Sequence, residues 1–200
     1  MKKMRHFLTL LFLVVSTPIV FAQASEECTI KYNLFKGDYN AKNYDKAYEN
    51  WMWCMDNCPT LSVNIYKLGI KIAEHKLEVA AEADKPAAKA LVMRVYTQRL
   101  EHYPNGKAGI YDDIASFKRE QGASDDEVYE WLEKTFKEDP TALSPKNIYK
   151  YFDIILVKYK DSDTQKVFDT YDEVGEALEL KRQDYRAKTT STSTKTYTTL

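Results

Sequence analysis

The sequence predicts an all-α fold of antiparallel helical hairpins stacked as a short α-solenoid. Three observations predict it. Apolar residues recur at helical spacing, as in the run Val128, Trp131, Leu132, Thr135 and Phe136, which is the period of an amphipathic helix. Pro59, Pro104 and Pro140 each close such a segment, and proline just past a helical run is a stop signal. Capping residues stand just ahead of several of these segments. Glycine is scarce, with 6 in 200 residues, as expected where few turns need positive φ.

Eight helices follow in order. The first, about 29–40, opens beside Cys28, and the second, about 43–57, runs to Asn57-Cys58-Pro59. The third spans about 61–83. The fourth, about 86–103, begins at Pro86, where a first-turn proline costs no hydrogen bond, and ends near His102, a residue favoured at the negative end of a helix. The fifth covers about 108–121. The sixth, about 125–138, starts from the capping box Ser124-Asp125-Asp126-Glu127, in which Ser and Glu satisfy each other's free amides. Ser144-Pro145 opens the seventh, about 145–160, and Asp161-Ser162-Asp163 caps the eighth, about 164–186. In the seventh, Tyr149, Phe152, Ile155, Leu156 and Tyr159 form a stripe read as core. In the eighth, Val167, Phe168, Tyr171, Val174, Leu178 and Tyr185 are read the same way. The segments pair as four hairpins.

At the other end of the chain, Lys2, Lys3 and Arg5 precede an apolar run from Phe7 to Phe21, and Val20-Phe21-Ala22 and Ala22-Gln23-Ala24 offer small-residue cleavage sites. This is the pattern of a secretory signal peptide, expected over 1–22, and the run is shorter than the roughly 20 residues of a spanning helix. A lipoprotein needs cysteine at the cleavage site, and Cys28 lies too far downstream. A helical repeat domain is expected over 23–187, a length sufficient for a real core. From Lys188 the Thr/Ser-rich KTTSTSTKTYTTL carries too little apolar surface to offset ordering, so 188–200 is expected to be a disordered tail.

The stretch Lys36–Pro59, KGDYNAKNYDKAYENWMWCMDNCP, holds Tyr44, Ala47, Trp51, Cys54 and Pro59 where a tetratricopeptide-type hairpin wants an aromatic, a small residue, a large aromatic, a small residue and a helix stop. The proline spacings, about 45 and about 36 residues, lie near that repeat's period without matching it. Cys28, the Tyr44–Ala47–Tyr48–Trp51 run, Asn57-Cys58-Pro59 and the later Val167–Asp172 together resemble a group of exported, functionally uncharacterised tetratricopeptide-like proteins of Bacteroidetes, over the chain up to about Arg186. The resemblance implies the architecture and an extracytoplasmic compartment, periplasmic or secreted. In that group the paired cysteines correspond to Cys28 and Cys58.

Three cysteines in an exported chain imply one disulfide and one thiol left over. An antiparallel hairpin brings Cys28, at the start of its first helix, beside Cys58, at the end of its second, so Cys28–Cys58 is the expected pair. Cys28–Cys54, one turn lower, is the alternative.

Charge and motifs narrow the function classes. Loss of the leader removes three of the 29 Lys/Arg and none of the 30 Asp/Glu, moving the formal charge from −1 to about −4, without the basic footprint that nucleic acid requires. His75 and His102 lie in different helices without an i, i+4 ligand partner, so neither reads as a zinc ligand. Neither a Gly-x-Ser-x-Gly elbow nor a phosphate-cradling Gly-rich loop is present. Asp112-Asp113 is the carboxylate pair most open to acid–base work, whereas Asp125-Asp126 reads as first-turn acids and Asp161-x-Asp163 as a cap. No cofactor, metal or catalytic residue is expected.

The expected function is a non-enzymatic scaffold of the bacterial cell envelope that binds a protein or peptide. By repeat position, Tyr32, Lys36 and Tyr39 of the first hairpin and Asp113 and Phe117 of the third are its groove candidates, since Tyr and charged side chains suit peptide capture. The alternatives are a glycan-binding helper in outer-membrane nutrient uptake, on the strength of the 15 tyrosines, and a cell-wall hydrolase, which needs convergent carboxylates.

Overall fold

The computed structural model describes the backbone of residues 18–197 and the side chains of residues 26–187. Most of the expected signal peptide therefore lies outside the described residues. Among the described residues the chain is all-helical, with eight α-helices, one 3-10 turn and no strand: α1 (Pro18–Asn40), α2 (Tyr44–Asn57), α3 (Asn64–Val79), α4 (Lys85–His102), α5 (Lys107–Glu120), α6 (Asp125–Glu138), the 3-10 turn Pro140–Ala142, α7 (Pro145–Tyr159) and α8 (Thr164–Tyr197). Consecutive helices pack as antiparallel hairpins, α1 with α2, α3 with α4, α5 with α6 and α7 with α8. The chain divides into two compact units, one ending at Tyr103 and the other beginning at Pro104.

Local sequence explains most boundaries. α2, α4 and α6 each end two residues ahead of Pro59, Pro104 and Pro140. The capping box of α6 is complete, with Ser124 Oγ accepting from the Glu127 amide and the Glu127 carboxylate accepting from the Ser124 amide. At the start of α8 the Asp163 carboxylate accepts from the Lys166 amide at 3.1 Å. α5 ends in a Schellman turn. The Ala123 amide donates to the Lys118 carbonyl and the Gly122 amide to the Arg119 carbonyl, and Gly122 supplies the positive φ of 76° that this turn needs. The α1–α2 turn has the same hydrogen bonds, but there the left-handed position falls to Lys42, with φ 60°.

Three boundaries differ from expectation. α3 is shorter than 61–83, because the chain turns at Ser62–Val63 and leaves the helix at Ala80, whose ψ is 137°. α1 begins well before residue 29. α8 runs past its expected end near residue 186, as far as Tyr197; extending an existing helix avoids the nucleation step that opposes a new one.

In the first unit the core is built on Trp51, Cys54 and Met55 of α2, packed against Phe35 of α1 and Ile65, Tyr66 and Ile72 of α3. The Cys28–Cys58 disulfide joins the hairpin, with Cα atoms 5.9 Å apart across a sequence separation of 30; Cys54 is the free, buried thiol. In the second unit the core gathers Val128 and Leu132 of α6, Leu143, Ile148, Ile154 and Ile155 of and before α7, and Val167 and Val174 of α8.

Candidate functional site

The residues expected to line a groove are used differently by the two units. On α1, Tyr32 is half-buried, packs edge-on against Phe35 at 5.2 Å, and accepts hydrogen bonds from Ser62 Oγ (3.3 Å) and Asn64 Nδ2 (3.2 Å) at the start of α3. Burial raises the Tyr32 phenol, but those two hydrogen bonds and the Lys36 ammonium outweigh it and hold it below its ordinary value. Lys36 is exposed, with Nζ 5.8 Å from the Tyr32 ring centroid. Tyr39 is half-buried against Tyr44 at 5.6 Å, and Tyr44 in turn meets His75 at 5.2 Å. Tyr32 and Tyr39 thus help join helices of the first unit, and Lys36 is the exposed member of the three.

On α5, Phe117 is only 7% exposed. Its place as a groove residue is corrected: Ile110, Ile114 and Phe117 share one helical stripe, and that stripe faces the core. Asp113 is exposed, whereas its neighbour Asp112 is buried. The Asp112 carboxylate accepts from the Ser144 amide (3.0 Å) and Asn147 Nδ2 (2.7 Å), anchoring the start of α7 to α5. Asn147 Nδ2 also reaches the Asp112 carbonyl and Ser116 Oγ. One carboxylate of the pair is a structural anchor and the other faces out, so the two do not converge. Among the described residues there is no cluster of three His, Cys, Asp or Glu fit to hold a metal ion.

The feature that sequence reasoning missed lies on α7 and α8. Of the stripes expected in the core, Ile155, Val167 and Val174 are buried, but Tyr149 is 76%, Phe168 62%, Tyr171 64% and Tyr185 73% exposed. α8 buries Val167, Thr170, Val174 and Ala177 and turns its second apolar stripe outward. α7 adds Tyr149 and Leu156 to the same outer side. Phe152 meets Tyr171 at 5.9 Å across the two helices. Between them lies an apolar cleft of about 380 Å³ bounded by Pro145, Ile148, Tyr149, Phe152, Tyr171, Val174, Gly175 and Leu178. Charged residues rim this face: Lys146 and Lys150 of α7, with Lys150 bridging Asp125 and Asp153, Lys160 just past the end of α7, and Asp172 and Glu179 of α8, with Glu179 paired to Arg182. The sequence held a signal for this arrangement. The apolar positions of α8 cover more than the stripe one neighbour buries, and the small Thr170 and Ala177 mark the side of closest packing.

A contiguous exposed face of aromatic and aliphatic side chains rimmed by charge is the composition of an interaction surface. Its rings are large, stiff and amphipathic, which suits contact with little ordering loss. The chain matches no family model, no curated protein and no solved structure.

Proposed function

We propose that this chain is a non-enzymatic scaffold of the bacterial cell envelope that binds a protein or peptide, and that the outer α7–α8 face is its binding surface. The observation that carries the reading is the outward stripe of Tyr149, Phe168, Tyr171 and Leu178 over helices whose opposite sides are already packed. The extracytoplasmic setting is supported by the Cys28–Cys58 disulfide, a bond that persists in oxidising compartments, and by the signal-like start of the sequence. The same exposed tyrosines favour a second reading, stacking on a glycan.

Photo-cross-linking in an exporting bacterial host, with Tyr171→p-benzoylphenylalanine, tests both. A discrete protein adduct at this position, absent when the probe replaces exposed Lys67 of α3, is the expected result. A chain that yields no protein adduct and is retained by a polysaccharide column would sink the scaffold reading in favour of the second.

A further inference from the structure

We infer that the groove between α6 and α8 is a second binding site, and that it takes an extended basic peptide segment carrying arginine or lysine at alternate positions. The site is separate from the outer α7–α8 face. It runs along the edge of α8 opposite Phe168 and Tyr171, and its test leaves the reading of that face untouched.

The groove has a volume of about 650 Å³ and an aromatic floor. Phe136 of α6 stacks on Tyr151 of α7 with ring centroids 4.8 Å apart, and Tyr151 stacks in turn on Tyr129 at 5.9 Å. The α8 wall carries Asp169, Glu173 and Glu176, and the α6 wall carries Glu133. Two lysines also line the groove, but both are committed elsewhere. Lys137 pairs with Glu133 at 3.3 Å, and Lys166 lies over the Tyr159 ring with Nζ 4.0 Å from its centroid. Among the described residues Glu173 and Glu176 accept no hydrogen bond and form no ion pair. Asp169 accepts from the neutral Gln165 amide at 2.7 Å, which leaves its charge in place. Asp169, Glu173 and Glu176 thus follow one another along a single edge of α8, and like charges at i, i+4 destabilise a helix. An incoming cation relieves that repulsion.

Tyr151 supplies an independent observation. It is 4% exposed and lines the groove, yet its hydroxyl has no hydrogen-bond partner among the described residues. A buried hydroxyl left unpaired costs free energy, and the groove is the side from which a partner can reach it. Burial pushes the phenol up, and the Glu133 and Glu173 carboxylates push it the same way, so it is an intact O–H flanked by negative charge from both walls. Such a hydroxyl can donate to a peptide carbonyl while the carboxylates take the basic side chain. The aromatic floor adds attraction for a guanidinium. Spacing selects a chain over a single ion. Asp169 and Glu176 are seven residues apart, about 10 Å along the helix, and among the described residues no three acidic groups are gathered to hold a metal ion. Asp169 and Glu173 lie about 6 Å apart along the axis, close to the ~6.7 Å between alternate residues of an extended segment, whose side chains share one side. From Lys166 to Leu180 the groove runs about 21 Å, room for about six extended residues.

Titration calorimetry with the peptide acetyl-Arg-Ala-Arg-Ala-Arg-Ala-amide, on the chain secreted and purified from a bacterial host, tests the inference. In about 50 mM salt the peptide is expected to bind with a dissociation constant of about 10–100 μM. Glu173→Gln with Glu176→Gln is expected to weaken binding about tenfold. Asp172→Asn with Glu130→Gln makes the same change of charge outside the groove and is expected to weaken it less than about twofold. Tyr151→Phe is expected to weaken it about threefold while leaving stability in urea equal or higher, because the hydroxyl it removes has no partner in the free chain. Absence of binding at ~1 mM peptide, equal losses in the two double variants, or a Tyr151→Phe variant that binds as the wild type does overturns the inference. Spermine bound as tightly as the peptide would overturn the peptide as occupant, since a groove that reads charge alone needs no chain.

Discussion

Gly69 lies directly against the indole of Trp51: a Cβ at position 69 would fall 2.1 Å from Nε1 and 2.5 Å from Cε2 of that ring. Trp51 is fully buried, and its Nε1 donates to the Ile65 carbonyl at 2.8 Å. The large aromatic of α2 and the glycine of α3 are therefore one packing unit, and the indole cannot retreat without breaking its hydrogen bond. Gly69→Ala is expected to destabilise the chain by about 3 kcal/mol, combining overpacking with a buried indole N–H left unpaired. Urea unfolding measures it, and a change below ~1 kcal/mol would show that the ring shifts freely. Gly175→Ala is the internal contrast. Its Cβ meets nothing, so the isolated chain is expected to gain up to about 1 kcal/mol from helix propensity.

The Cys28–Cys58 bond spans a sequence separation of 30 and ties Cys28, within α1, to the end of α2. A closed loop of that length typically stabilises by 2–4 kcal/mol through the unfolded state. Cys28→Ser with Cys58→Ser is expected to lower stability by about 3 kcal/mol and to raise amide exchange first in α1. Exchange that rises equally in α7 would show that the bond supports more than its own hairpin.

These two relationships mark where the sequence was legible and where it was not. Ala47, Trp51 and Cys54 occupy the small–large–small pattern of a hairpin and are buried, and the capping box at Ser124 fixes the start of α6. Both are local signals, readable over a few residues. Gly69 was silent, because its reason is a ring 18 positions earlier in the chain. Phe117 was misassigned because repeat position was weighed above its own stripe with Ile110 and Ile114. On α8 the stripe of Phe168 and Tyr171 has the same helical period as that of Val167 and Val174. Periodicity reports that a face is apolar and cannot report whether a neighbour covers it. The candidate surface therefore emerged only from burial.

Asp112 and Asn147 form the polar join between α5 and α7. The Asp112 carboxylate takes both the Ser144 amide and Asn147 Nδ2, and both residues are buried, Asn147 completely. Asp112→Ala leaves the half-buried Ser144 amide unpaired and removes one of the three acceptors around Asn147 Nδ2, and is expected to destabilise by about 1–3 kcal/mol. Asn147→Ala removes a partner of the same network, so the double variant is expected to lose at least about 1 kcal/mol less than the sum of the two. Strict additivity in urea unfolding would show that the two side chains act separately.

Cys54 and Tyr66 give the stability of the chain an alkaline limit. Burial pushes the Cys54 thiol up from 9.0 to about 11, and burial, with smaller contributions from Tyr103 and Glu101, pushes the Tyr66 phenol up from 10.0 to about 12. Both groups are neutral when protonated, and the folded chain holds their protons after the unfolded chain has released them. Their contribution is thus complete below pH 9 and falls as pH rises through the window from 9.0 to about 11 for Cys54 and from 10.0 to about 12 for Tyr66. Stability is expected to decline across that range, and Cys54→Ala is expected to flatten the first part of the decline. The thiol should also resist a disulfide reagent in the folded chain at pH 8, because the thiolate is the reactive form and Cys54 is fully buried. Urea should release one reactive thiol per chain. Prompt labelling of the folded chain at pH 8 would mean that α2 opens locally at Cys54 and that the core around Trp51 is looser than its packing indicates.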